Sequence, residues 1–176
     1  LKNLDPKALA DFDLLTNDIM YILADVLHYK IPSVTMYDKE FDGLRIVKYS
    51  LPKPIEIIVG RSLGKSIENI IFPLSASENL FVKVYNSKSI EIRTSVEELC
   101  KPYLSRLISK QIDLVLNVKM VAVVPIIVSN ETIGTFAFGS NFAQNLSDTE
   151  QKLLINMDQQ IGAYLLTTWL LRKASL

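Results

Sequence analysis

Two runs rich in β-branched and aromatic residues, Met120–Val128 and Glu131–Ser140, are separated only by Ser129-Asn130. Side chains of this shape suit a pleated sheet, and two polar residues between such runs specify a tight reversal. The chain therefore contains a long hairpin, and the rest of it must cover that hairpin's faces. The two ends supply long covers. Asp5-Pro6 opens a helix, an acidic cap followed by proline at the first helical position, where its missing N–H is no loss. From there Ala8, Phe12, Leu15, Ile19, Ile22, Val26 and Tyr29 recur at alternating spacings of four and three, a heptad seam widened by Leu9, Met20, Leu23 and Leu27. Pro32 stops the helix. At the other end Ser147-Asp148-Thr149-Glu150 fits a capping box and launches a helix to about Lys173. Along it Leu154, Met157, Ile161, Tyr164, Thr168 and Leu171 repeat in the same way.

Between these ends the spacing predicts strands at Ser33–Asp38 and Leu44–Ser50, joined by Lys39–Gly43. Leu51–Leu74 holds Pro52, Pro54, Pro73, Gly60 and Gly64 with one apolar run, Ile55–Val59, and reads as a strand followed by a long loop. A helix over Glu78–Tyr85 is capped by Ser77, and Ser89–Thr94 is a strand. Ser95-Val96-Glu97-Glu98 fits a second capping box; its helix meets Pro102 and restarts over Leu104–Leu116. The expected architecture is one α+β domain over residues 1–176, in three α/β/α-type layers. A central antiparallel sheet of about five to six strands spans 33–140, with shorter helices and loops roofing one face. The terminal helices, 1–30 and 147–174, cover the other.

Composition narrows the function classes. Nineteen basic residues balance nineteen acidic ones, so no field draws nucleic acid or anionic lipid. Cys100 is the single cysteine and His28 the single histidine, which leaves no internal disulfide and favours a reducing, cytoplasmic setting. The longest apolar stretch, Val118–Val128, is broken by Lys119 and Pro125, short of the ~20 residues of a membrane span. The first residue is Leu1, and the expectation is a piece of a longer regulatory protein.

Tests for chemistry return little. Gly60-Arg61-Ser62-Leu63-Gly64-Lys65-Ser66 has three residues between its glycines where a phosphate-cradling loop needs four, and reads as an ordinary loop. One His and one Cys far apart make a metal site improbable, and His28 is better read as a cation at a helix C-terminus than as a haem ligand. Cys100 beside a helix start invites a low thiol pKa, but packing is the commoner fate of a free cysteine. Asp38, Glu40 and Asp42 read as a solvated hairpin tip, without calcium-loop spacing. The helical seams either cover the sheet or pair with a second copy. Their apolar positions exceed what one face requires, which favours a homodimer through Phe12, Leu15, Ile19, Ile22, Met157, Ile161, Tyr164 and Thr168.

The stretch Met120–Ser140, with its strand, polar turn and Ile133-Gly134 leading into the next strand, resembles the signature hairpin of GAF domains. So do Leu146–Glu150 opening the last helix, Val34–Tyr37 as first strand, and Leu63-Gly64 with Phe72-Pro73-Leu74 in the middle. The resemblance implies a sensor domain without catalysis, holding a small ligand on the face opposite the terminal helices. It places Thr35, Tyr37, Thr135, Ala137 and Gly139 toward that pocket, Cys100 and Tyr103 on the roofing helix, and Val34, Met36, Phe136 and Phe138 toward the terminal helices. Lys101-Pro102 follows Cys100 where bilin-binding members carry histidine, the residue set of cyclic-nucleotide-binding members is not visible, and sulfoxide-reductase members have more cysteines. No cofactor is named by these residues. The implied function is a ligand sensor that dimerises through its terminal helices and drives an output domain of the parent chain. The alternatives are a ligand-free relay and a Cys100-based redox enzyme.

Overall fold

The computed structural model describes residues 6–64 and 66–175. Its centre is the hairpin of β5 (Met120–Val128) and β6 (Glu131–Ser140), paired from Met120↔Ser140 to Val128↔Glu131. Ser129 and Asn130 turn it with φ of 50 and 68°, the left-handed pair that matches strand twist. Beside β6 lies β1 (Lys30–Asp38), then β2 (Gly43–Tyr49) and the short β3 (Ile71–Pro73); beside β5 lies β4 (Glu91–Arg93). All neighbours are antiparallel, in the order β3-β2-β1-β6-β5-β4. Gly134 permits the central pairing: a Cβ there would stand 2.2 Å from the Thr35 carbonyl oxygen.

Both faces of the sheet are buried, which explains why β5 reads as an unbroken apolar run. Val34, Met36, Met120, Ala122, Val124, Phe136 and Phe138 pack under α1 (Pro6–Tyr21) and α6 (Asp148–Ser175). Leu44, Ile46, Val121, Val123 and Ala137 face the other way, under α2 (Lys53–Leu63), α3 (Leu80–Ser87), α4 (Glu97–Cys100) and α5 (Arg106–Leu116). Each of the larger side chains among these contributes on the order of 1.5–3 kcal/mol of hydrophobic burial. Phe12 meets Trp169 near one end of the helix pair, while Tyr29, just past α1, meets Glu150 at the other. The two helices therefore run antiparallel.

The heptad seams face the core over much of their length and lose phase at Val26, Tyr164 and Leu171. Asp5 and the side chains of Ala8 and Leu9 lie outside the described residues. α1 ends in a π-turn, Ile22–Val26, with the Leu27 amide donating to the Ile22 carbonyl over 2.9 Å. The wider turn shifts the phase, so Leu23 is buried and Val26 is exposed. The helix is spent before residue 30, and His28 (φ 57°) leads into β1. In α6 the inward stripe follows the straight-helix period: Leu154, Met157, Leu165 and Trp169 are buried while Tyr164 and Leu171 are exposed. Ser147 and Glu150 do form the expected box, each amide donating to the other's side chain at 2.8 and 3.2 Å.

Three middle assignments need correction. Ile55–Val59 is the core of helix α2, not a strand. Its β-branched run conceals Ile55, Val59 and Leu63 at helical spacing, Pro54 sits in its first turn, and Gly64 (φ 61°) caps its end. The glycine-rich run thus closes a helix and does not open one; Lys65 lies outside the described residues. Helix α3 is capped by Asn79, not Ser77, with its Oδ1 accepting from the amides of Phe81 and Val82 at 2.9 and 3.4 Å. The box at Ser95 stays open: Glu98 turns to Lys83 and Arg93 at 2.6 and 3.1 Å. Asp113 of α5 takes its place, accepting from Ser95 Oγ at 2.5 Å and from the Val96 amide at 2.9 Å.

Candidate functional site

Between the sheet and its shorter helices lies a cavity of about 110 Å³. Ile55, Val59 and Leu63 of α2 form one wall, Val96, Leu99 and Cys100 another, and Ile112 of α5 a third; Ile31, Ser33 and Ile46 make the floor. The α4 wall is held in place by Asn79, which is fully buried. While its oxygen caps α3, its Nδ2 donates to the carbonyls of Leu99 and Lys101, at 3.0 and 2.6 Å, on either side of Cys100. The Tyr103 hydroxyl donates to the Ile71 carbonyl, tying the roof to edge strand β3.

Of the residues expected in the pocket, Cys100 and Tyr103 line the cavity. Thr35 and Thr135 lie on the correct face but are hydrogen-bonded to each other at 2.8 Å, fully buried beside the cavity and not in its wall. Helix α3 packs over this part of β6 and β5, and Ala137 is buried with it. Tyr37 stacks on Tyr85 of α3 with ring centroids 5.5 Å apart, and its hydroxyl donates to Asp42. Gly139 is not in the cavity wall; a Cβ there would stand 3.3 Å from Cγ1 of the floor residue Ile31. The α2 wall was missed because Ile55, Ile57, Ile58 and Val59 read as strand; the i, i+4, i+8 spacing of Ile55, Val59 and Leu63 is the signal that identifies it.

Burial pushes the Cys100 thiol up to about 12, against the lowering effect of a hydrogen bond from Ser109. A helix start of four residues does not offset that desolvation, so the thiolate that redox chemistry requires is suppressed. Among the described residues no three His, Cys, Asp or Glu side chains converge as a metal set.

The dimer candidates divide. Phe12, Ile19, Met157 and Thr168 are consumed by the chain's own core, and Leu15, Ile22 and Ile161 are half-buried against it. Tyr164 alone of the eight is exposed, joined on these two helices by Leu14, Tyr21, Leu153, Leu170 and Leu171. The acidic hairpin tip is also not simply solvated. Asp38 is buried and receives Lys173 and Arg45, each at 2.9 Å. Burial alone would raise its pKa, but the two cations more than reverse this and hold it below the usual carboxylate value. A broad open depression of about 980 Å³ beside this cluster is lined in part by charges already paired, Arg172 with Asp13 and Lys173 with Asp38 among them.

A six-stranded antiparallel sheet, with paired terminal helices on one face and a roofed cavity on the other, is the GAF-like fold. Solved structures with this architecture include the GAF domain/HD domain protein from Geobacter sulfurreducens (TM-score 0.66, 15% identity, covering 91% of this chain and 95% of that one). The GAF domain of a two-component sensor histidine kinase from Bacillus halodurans matches with TM-score 0.63 and 18% identity, over 90% of this chain and 95% of that one. A type II free methionine-R-sulfoxide reductase from Thermoplasma acidophilum matches with TM-score 0.61 and 12% identity, over 90% and 93%. No family model matches the sequence, and no curated protein matches it significantly. Among the described residues no helix is long and apolar enough to cross a membrane.

Proposed function

We propose that this chain is a regulatory sensing domain that acts in the cytoplasm. A small guest occupies the cavity under α2, α4 and α5, and its presence is passed through α1 and α6, paired with those of a second copy, to an attached output domain. The observation that carries this reading is the unequal treatment of the two sheet faces: the terminal helices fill one, and the other keeps a cavity walled by three separate elements. Pairing would use Leu14, Tyr21, Tyr164 and Leu170, four of the apolar side chains that α1 and α6 leave in water. The histidine kinase and GAF/HD neighbours support a regulatory role by analogy of fold.

The reductase neighbour favours a second reading, a redox enzyme built on Cys100. The raised thiol pKa opposes it. Native mass spectrometry of the purified chain tests the main reading, because it reports subunit number and bound small molecules together. A dimer that dissociates on combining Tyr164→Glu with Leu170→Glu is expected; a monomer at micromolar concentration would rule out pairing. Reduction of free methionine sulfoxide that is lost in Cys100→Ser would instead establish the enzyme.

A further inference from the structure

We infer that the guest of this cavity is a small, uncharged, apolar molecule of roughly benzene to indole size, and not a nucleotide or other anion. The inference rests on the sensing reading above and specifies its ligand. None of the eighteen lining residues is Lys, Arg, His, Asp or Glu. Four carry polar side-chain atoms, and three of those are engaged within the protein: Tyr103 on the Ile71 carbonyl, Tyr49 on Glu56 and Cys100 with Ser109. Ser33 remains as a single hydroxyl on the floor.

Such walls discriminate by charge. A phosphate or carboxylate entering them would lose its water and gain no cation, which strongly disfavours the charged form. Water is a poor occupant too, since it needs two to four polar partners. Apolar cavities of about 150 Å³ stay dry and accept benzene, so this cavity of about 110 Å³ suits a compact ring or a short branched chain, with modest side-chain adjustment for indole. Phe72 and Phe81, 5.2 Å apart at the edge of the cavity, offer aromatic contact to a flat guest.

The test uses three probes on the whole chain: toluene, indole and cyclic AMP. Readouts are melting temperature and the methyl resonances of Ile55 and Ile112. Toluene or indole should raise the melting temperature, by about 3–6 °C at tenfold excess over Kd, and shift both methyls. Val59→Phe and Val96→Phe, which fill the cavity from different walls, should each abolish the effect. If both variants fail to fold, methyl shifts confined to cavity residues in the unaltered chain decide the matter. Binding of cyclic AMP without either neutral probe would overturn the ligand class and leave the sensing reading standing. Neutral binding that survives the filled variants would put the guest elsewhere and overturn the inference. If none of the three probes binds, both the inference and the pocket reading fall.

Discussion

Lys173, near the C-terminal end of α6, places its Nζ 3.0 and 2.9 Å from the two carboxylate oxygens of Asp38, at the end of β1. Arg45 reaches the same carboxylate from β2. One turn earlier Trp169 donates its Nε1 proton to the Tyr37 carbonyl at 3.0 Å. The last turns of α6 are thereby fastened to the one strand whose Tyr37 side chain projects beneath the roof, against α3.

The clasp has an acid limit. Because the folded pKa of Asp38 is lowered, its contribution is present above the ordinary value of 3.8 and is lost as pH falls through the folded value. Asp38→Asn should cost about 1–3 kcal/mol near neutral pH, moderated because Lys173 and Arg45 retain some solvent contact. Urea denaturation at about pH 7 and pH 2 checks this: the gap between variant and parent should narrow at the lower pH.

An alkaline limb follows from Tyr29. Its hydroxyl donates to Glu150 Oε1 at 2.5 Å while its ring stacks on Phe138 at 4.2 Å. Burial and the Glu150 carboxylate raise its pKa above the ordinary 10.0, so its contribution is complete below that pH and is lost as pH rises further. Tyr29→Phe keeps the stacking, loses about 1–2 kcal/mol from the hydrogen bond, and should make the decline above about pH 10 shallower in thermal melts.

Asn79 separates donor from acceptor. Asn79→Asp keeps the cap on α3 but cannot donate to the Leu99 and Lys101 carbonyls, whereas Asn79→Ala loses both functions. We expect losses of about 2–4 kcal/mol for either, since each leaves buried polar groups unpaired. The discriminating measurement is hydrogen exchange: Asp should spare the amides of Phe81 and Val82, and Ala should expose them.

Cys100 should be slow to react. With its pKa near 12, the thiolate population near pH 8 falls on the order of a thousandfold below that of an ordinary thiol. A disulfide reagent added with and without denaturant measures this directly, and rapid labelling of the folded chain would contradict the burial described.

Much of the architecture was readable because local chemistry and tertiary packing agreed. Met120–Ser140 and the Ser147–Glu150 box fold as their residues specify, and the inward and outward alternation of Val34 to Tyr37 follows from the pleat. Legibility failed where two periods competed. Ile55 to Val59 satisfies a strand by composition and a helix by spacing, and burial against the sheet decided for the helix. The terminal seams fit a 3.5 repeat on paper, but in α6 the core follows the 3.6 repeat, so Leu165 is buried while Tyr164 is exposed, and after α1 the π-turn shifts the phase, so Leu23 is buried while Val26 is exposed. The α2 wall of the cavity is hidden by the strand reading, whereas Cys100 and Tyr103 are not. The Asp38 clasp joins residues 135 positions apart, a distance at which spacing carries no signal.

The sheet's outermost strands carry a last implication. β3 and β4 are three residues each, so β5 runs on beyond its outer neighbour from Val124 to Val128, a margin of the kind that another strand can join. Pro125 falls within that margin and has no N–H with which to recruit a newcomer. Strand addition is disfavoured at this border, while the helical flank keeps apolar side chains in water.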